Sequence, residues 1–233
     1  MASSRTSSPK AGATRPMRLL LITDLHGSRS ALEKILAAAR SPDAVLFGGD
    51  ITNFGSADDA QRLIRLAEAS MPTVWGIAGN CDSAAIEKRL VELGVSLFRR
   101  GVIRNGVGFH GLSAMPPWRS DMYQFTEVEL AESLRIGYEQ IALARRHVVL
   151  SHAPPRDGRL DRLLWGRHVG STALRAFIEE TGPSLVVCGH IHEGRGIESI
   201  GQTVVVNCGP AAAGSYALAD VDEEVRVELH RAE

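Results

Sequence analysis

The sequence predicts an α/β protein in which two packed mixed β-sheets are flanked by helices. Three observations carry this. Up to Gly94, short apolar runs alternate with segments of helical periodicity, the pattern of βαβ units and a parallel sheet. The runs are apolar at consecutive positions, so each strand is buried on both faces. More strand-like runs follow than one open sheet accommodates, which points to two sheets packed face to face.

In chain order, MRLLLIT (17–23) is the first buried strand. The segment SRSALEKILAAAR (28–40) is a helix, with Ser30 and Glu33 at capping-box spacing and Leu32, Ile35, Leu36 and Ala39 on one face. AVLFGGD (44–50) is a second strand, ADDAQRLIRLAEAS (57–70) a second helix, PTVWGIAGN (72–80) a third strand and SAAIEKRLVELG (83–94) a third helix. Residues 95–115 read as short strands around Asn105-Gly106, a two-residue hairpin signal. A Pro- and aromatic-rich loop, PPWRSDMYQF, precedes a long helix expected from Thr126 to Arg146. HVVLSHAPP (147–155), SLVVCGHIH (184–192), QTVVVNCGP (202–210) and two terminal strands near 215–220 and 225–230 complete the set.

Composition narrows the function classes. The chain has 233 residues, 44% of them hydrophobic and 23% charged, ordinary values for a globular protein. A formal net charge of -1 gives no general attraction to nucleic acid or anionic membranes, so any anion site must be local. No apolar stretch approaches the roughly 20 residues of a membrane span. Cys81, Cys188 and Cys208 lack CxxC spacing, which suggests reduced thiols and a cytoplasmic location. Residues 1–16, rich in Ser, Ala and basic residues, are expected to be a disordered extension ahead of one domain spanning 17–233. Trp118, Tyr123 and Phe125 would suit a lid or a homo-oligomer contact, with burial in the same subunit as the plainer alternative.

The buried runs end in a restricted set of polar residues. The first gives Asp24 and His26, the second Asp50 and the third Asn80. Later runs give His152, then His190 and His192. Carboxyl ends of parallel strands are where open α/β sheets assemble ligand sites, and neighbouring strands lie only about 4.8 Å apart. Mixed imidazole and oxygen donors suit borderline divalent ions such as Mn, Fe, Co, Ni or Zn better than Ca or Mg. Seven side chains are more than one ion takes, but they suit two ions sharing a carboxylate.

The motifs DLH (24–26), GGD (48–50), GNCD (79–82), SH (151–152) and GHIH (189–192), in this order, resemble those of the calcineurin-like metallophosphoesterase superfamily. The resemblance runs from about Met17 to Leu229. It implies a β-sandwich flanked by helices, two divalent transition ions (manganese first, with Fe, Zn, Ni or Co as alternatives) and hydrolysis of a phosphoester. It implies that Asp24, His26 and His192 hold one ion, that Asn80, His152 and His190 hold the other, and that Asp50 bridges them. Asp50 and Asn80 then count as catalytic residues too. A cluster charge of about +1 with a bridging hydroxide suits an anionic phosphoester, and that hydroxide is the expected nucleophile. The substrate is expected to be a small phosphoester, a nucleotide among the candidates.

One motif departs from the family. Many members carry histidine after the asparagine of the third motif, a residue thought to help the leaving group; Cys81 stands here. A thiol is a poor general acid at neutral pH. The expectation is a phosphodiesterase, or an enzyme for esters of fairly acidic alcohols. Asp82 is expected to cap the next helix or support the ligands. His168 and His110, each close to glycine at a segment end, are candidates for contacting phosphate or supplying the missing proton; His147 and His230 are not. Competing readings are a non-catalytic scaffold on the same fold and a nucleotide polyphosphate hydrolase.

Overall fold

A computed structural model describes residues 15–233, so the expectation of a disordered extension over residues 1–16 falls almost wholly outside the described residues. The apolar runs become β1 (Met17–Ile22), β2 (Ala44–Gly48), β3 (Val74–Ile77), β6 (Arg146–Ser151), β7 (Leu185–Cys188) and β9 (Thr203–Asn207). The remaining strands are β4 (Val102–Arg104), β5 (Val107–Leu112), β8 (Gly196–Ile200), β10 (Ser215–Val221) and β11 (Val225–Arg231). The helices are α1 (Arg29–Ala38), α2 (Ala57–Glu68), α3 (Ala84–Glu92), α4 (Glu127–Glu139) and α5 (Thr172–Thr181).

One sheet runs β11-β10-β1-β2-β3 and the other β4-β5-β6-β7-β9-β8. Each has a parallel part: β1, β2 and β3 at one side of the first, and β5, β6, β7 and β9 in the middle of the second. Antiparallel pairs complete the other side of the first sheet and both edges of the second. The two-mixed-sheet architecture with outer helices is therefore as the sequence predicts.

Side-chain alternation explains why the strands read as unbroken apolar runs. Leu20, Ile22, Val45 and Phe47 face α1–α3, while Leu19, Leu21, Ala44 and Leu46 face the opposite sheet. In the second sheet Val148, Leu150, Leu185 and Val187 face the first sheet, and Val149, Val186 and Val205 face α4 and α5. Trp75 and Phe109 meet across the central layer with ring centroids 4.8 Å apart.

Each of the helices begins on a Ser or Thr cap: Ser28, Ser56, Ser83, Thr126 and Ser171. The cap of α1 is Ser28, so Ser30 is not the capping residue, and Glu33 pairs with Arg29 at 2.8 Å instead. The long helix expected to reach Arg146 stops at Glu139. There Gln140 turns back, its Nε2 donating to the carbonyls of Ile136 (2.8 Å) and Arg99 (3.1 Å), and the chain must reverse to enter β6. The Asn105-Gly106 hairpin forms, with φ of 53° and 78°. Two elements add to the sequence expectations. Helix α5 is short, and β8 is a half-exposed edge strand lacking the buried runs that mark the others. Tyr123 and Phe125 pack within the chain, Phe125 stacking on Phe98 at 5.4 Å. His230 stacks on Tyr216 at 5.2 Å. Among the described residues no helix is long and apolar enough to cross a membrane.

Candidate metal centre

The turns that follow β1, β2, β3, β6 and β7 supply the polar residues singled out above, and the fold brings all seven together. Local backbone strain marks the place. Asp24, His26, Asp50 and His190 have φ of 54°, 47°, 47° and 66°, a region that costs a side-chain-bearing residue roughly 1–2 kcal/mol. Cross-turn hydrogen bonds hold the first three: Asp24 N–H donates to Gly49 O (3.1 Å), His26 N–H to Asp50 O (2.8 Å) and Gly27 N–H to Ile51 O (2.9 Å). The β1–β2 pairing thus continues beyond the strands and sets Asp24 and His26 beside Asp50.

The donors form two subsets that meet at Asp50. In the first, His192 Nε2 lies 3.5 Å from Asp24 Oδ1 and 3.3 Å from His26 Nε2. In the second, His152 Nε2 lies 2.7 Å from Asn80 Oδ1, and the His152 and His190 ring centroids are 5.1 Å apart. Asp50 reaches both, with Oδ2 3.8 Å from His26 Nε2 and Oδ1 3.4 Å from His152 Nε2.

The hydrogen-bond chemistry of this cluster fits cations. His152 Nδ1, 3.0 Å from the Gly48 carbonyl, donates its proton there. Its Nε2 is then a lone pair that faces Asn80 Oδ1 and Asp50 Oδ1, so three acceptors point at one another. The amide nitrogen of Asn80 is turned away, toward Cys81 Sγ (3.3 Å). His190 Nε2 and His26 Nδ1 are buried with no partner among the described residues. Burial and neighbouring His152 push the His190 pKa down to about 3, so the ring is neutral and its nitrogen is free to ligate. Burial by itself would raise the Asp24 pKa, but the hydrogen bond from His192, the largest opposing influence, brings it down to about 2.

Two glycines permit the approach. A Cβ on Gly189 would collide with the Asp24 carboxylate and Thr23, and one on Gly79 with the Asp50 carboxylate. In their absence His190 N–H reaches Asp24 Oδ1 at 3.0 Å, and Cys81 N–H reaches Asp50 Oδ1 at 2.7 Å.

Supporting groups emerge that the strand-end pattern does not single out. Asn207, buried at the end of β9, donates to the carbonyls of Gly189 (3.2 Å) and Ile191 (2.9 Å), clamping the turn that carries His190 and His192. Its signal is faint: a lone Asn closing an apolar run. Glu87 of α3 accepts from Ser96 Oγ (2.6 Å), from Ser113 Oγ and from Ala78 N–H (3.2 Å), steadying the approach to Asn80. A buried acid on a helix face cannot be told from a solvated one by spacing alone.

The remaining candidates divide. Cys81 sits with its thiol near His26 and Asp50, and burial with the Asp50 charge pushes that thiol well up. His168 lies on the loop after β6. Its Nδ1 is 2.7 Å from the fully buried Asp161 carboxylate, and its side chain is about one-third exposed. That loop packs through Leu163 and Val169 onto Ile191, between His190 and His192. His110 is elsewhere. It points away from the strand ends, into the layer beneath α4 and α5, against Tyr138 and Phe177, with neither ring nitrogen partnered among the described residues. A cleft of about 620 Å³ opens beside His26 and is lined by Arg29, Thr52, Asn53 and Arg62.

Residues 17–194 match the model of the calcineurin-like phosphoesterase family. The chain is 31% identical over 211 residues to protein MJ1162 of Methanocaldococcus jannaschii, covering 86% of this chain and 91% of that one. Its fold is similar to the crystal structure of TT1561 of Thermus thermophilus, with a TM-score of 0.74, 20% identity, and coverage of 94% of this chain and 100% of that one. It is also similar to a dimetal phosphatase from Danio rerio, with a TM-score of 0.62, 12% identity and coverage of 94% and 97%.

Proposed function

Because the chain belongs to the calcineurin-like phosphoesterase family, we propose that it is a dinuclear-metal phosphodiesterase acting on a small phosphoester, with a water-derived nucleophile. The observation that carries this reading is the double donor set joined at Asp50: two imidazole-rich subsets, each with its own oxygen donor, and one carboxylate within 4 Å of both. Asp24, His26 and His192 would hold one ion, Asn80, His152 and His190 the other, and Asp50 both. Bound there, two divalent ions, manganese the leading candidate, would acidify a water and stabilise negative charge on the phosphoryl group.

The chain's own residues then do the rest. Gly48 fixes the His152 tautomer, and the backbone amides of His190 and Cys81 hold the Asp24 and Asp50 carboxylates in place. Cys81 is held as a neutral thiol and offers little proton donation, which favours diesters and esters of acidic alcohols over alkyl monoesters. His168, oriented by Asp161, would hand a proton to the leaving group. His110 has no part in this site. A scaffold role would not require donors at all seven positions, so the intact set supports an enzyme.

The test is a screen of the manganese-loaded protein against activated mono- and diesters, cyclic nucleotides and nucleoside polyphosphates, with Asp50→Asn alongside. Diesters should be turned over best and the variant should lose most activity. Equal or better turnover of alkyl monoesters, or wild-type activity in Asp50→Asn, would overturn the reading.

A further inference from the structure

The loop between β5 and α4 stands directly on the second donor subset, and it is held there at several points. Its ends are stapled by a bridge between Met115 and Gln124 and by Phe125 N–H donating to Met115 O at 3.1 Å. Tyr123 N–H donates to the backbone carbonyl of Asn80 at 3.1 Å, and Met122 Sδ lies 3.5 Å from the Asn80 amide nitrogen. Pro116 and Pro117 restrict the entry to the loop, since each locks its own φ. Trp118 follows them. Its Nε1–H donates to Met115 Sδ at 2.8 Å, which fixes the indole in its plane. The ring meets His190 edge to face, with centroids 6.1 Å apart and planes at 83°.

That arrangement leaves Trp118 38% exposed. Phe125 and Tyr123 of the same loop are partly buried and packed on other rings, and Trp75 is buried in the central layer. An indole with its polar atom satisfied, anchored against a proposed metal ligand and open to solvent, is a stacking platform. It offers a π-face at low entropic cost, because the ring is already immobilised. The cleft beside His26 lies at the other donor subset, so a phosphoryl group between the two subsets would have one substituent toward the cleft and one toward Trp118.

We infer that Trp118 is a specificity-determining residue, and that the substrate is a phosphodiester bearing a planar aromatic substituent, a nucleobase or an aryl ring, stacked on this indole. The inference deepens the phosphodiesterase reading and rests on it for the position of the phosphoryl group. Stacking of a base on an aromatic side chain is worth roughly tenfold in affinity, as judged from alanine substitution.

The test separates the two claims by reading binding rather than turnover. Calorimetric titration of the manganese-loaded protein would use three diesters that share the phosphate: thymidine 5′-methyl phosphate, phenyl methyl phosphate and dimethyl phosphate. The expected result is binding of at least one aromatic ester about tenfold or more tighter than dimethyl phosphate. Trp118→Ala should erase that gap and Trp118→Phe should keep part of it, while Trp165→Phe, on the exposed loop after β6, should leave it intact. Tighter binding of the thymidine ester alone assigns a nucleobase, and equal tightening of both aromatic esters assigns any planar ring. Equal affinity for all three diesters in the wild type, or a gap that survives Trp118→Ala, would overturn the inference. A preserved gap in a protein that hydrolyses no phosphoester would instead overturn the phosphodiesterase reading and leave the stacking platform standing.

Discussion

Asp82 Oδ1 accepts both the backbone N–H of Thr52 at 2.9 Å and its hydroxyl at 2.8 Å. Its Oδ2 accepts from Ile51 N–H (3.0 Å) and Gly79 N–H (2.9 Å), so one buried carboxylate ties the turn bearing Asp50 to the turn bearing Asn80. The residue expected to cap a helix or support the ligands is a clasp between the turns that bear two proposed ligands, and Ser83 caps α3 in its place.

Asp82→Ala would leave buried donors without an acceptor. Each such group costs about 1–3 kcal/mol, less than additively, so a loss of roughly 3–5 kcal/mol in urea unfolding is expected. Metal affinity should fall about 10- to 100-fold, as for other residues that orient ligands. Asp82→Asn, which keeps one acceptor oxygen, should lose less on both measures.

Gly189→Ala is a steric test of the same site. The added methyl would overlap the Asp24 carboxylate, so the turn must shift and carry His190 with it. The fold rests on three apolar layers away from this turn, so far-ultraviolet circular dichroism should be unchanged while manganese binding measured by calorimetry weakens at least about tenfold.

His110 makes a prediction about pH and stability. Burial, with the nearby His147, holds its pKa at about 3, against 6.5 for the free ring. Below pH 6.5 the unfolded chain takes up a proton here that the folded chain refuses. The group therefore favours folding fully above pH 6.5 and loses that contribution as pH falls toward about 3, with a slope of about 1.4 kcal/mol per pH unit. His110→Leu should flatten the pH dependence of the urea midpoint in that window, with little loss of activity.

His168→Asn addresses the leaving group. Removal of a general acid costs about 10²–10⁴-fold where the leaving group is poor and much less where it is a stable anion. Turnover of alkyl esters should fall by about 10² or more relative to p-nitrophenyl esters, and Asp161→Asn should reproduce part of that split. Equal losses on both ester types would leave the loop with a structural role only.

Much of this architecture is legible in the sequence because buried parallel strands cannot hide their composition. Runs such as 19–22 and 44–48 face apolar layers on both sides, and the alternation of Leu20 and Leu21 between two layers is why no polar residue interrupts them. The polar residues that end those runs are conspicuous for the same reason. Legibility fails where the determinant is distant in sequence. The stop of α4 at Glu139 depends on Gln140 reaching Arg99, and Asn207 matters only because it meets Gly189 and Ile191 across the sheet. His110 and His168 look alike as sequence, each within two residues of a glycine, yet one is enclosed by Tyr138 and Phe177 and the other is aligned by a buried aspartate.

Metal content is the most direct measurement. After reconstitution with manganese and exhaustive dialysis, elemental analysis should find two ions per chain, and Asp50→Asn, which severs the link between the subsets, should retain fewer. No bound ion in the wild type, or a full complement in the variant, would contradict the account at its root.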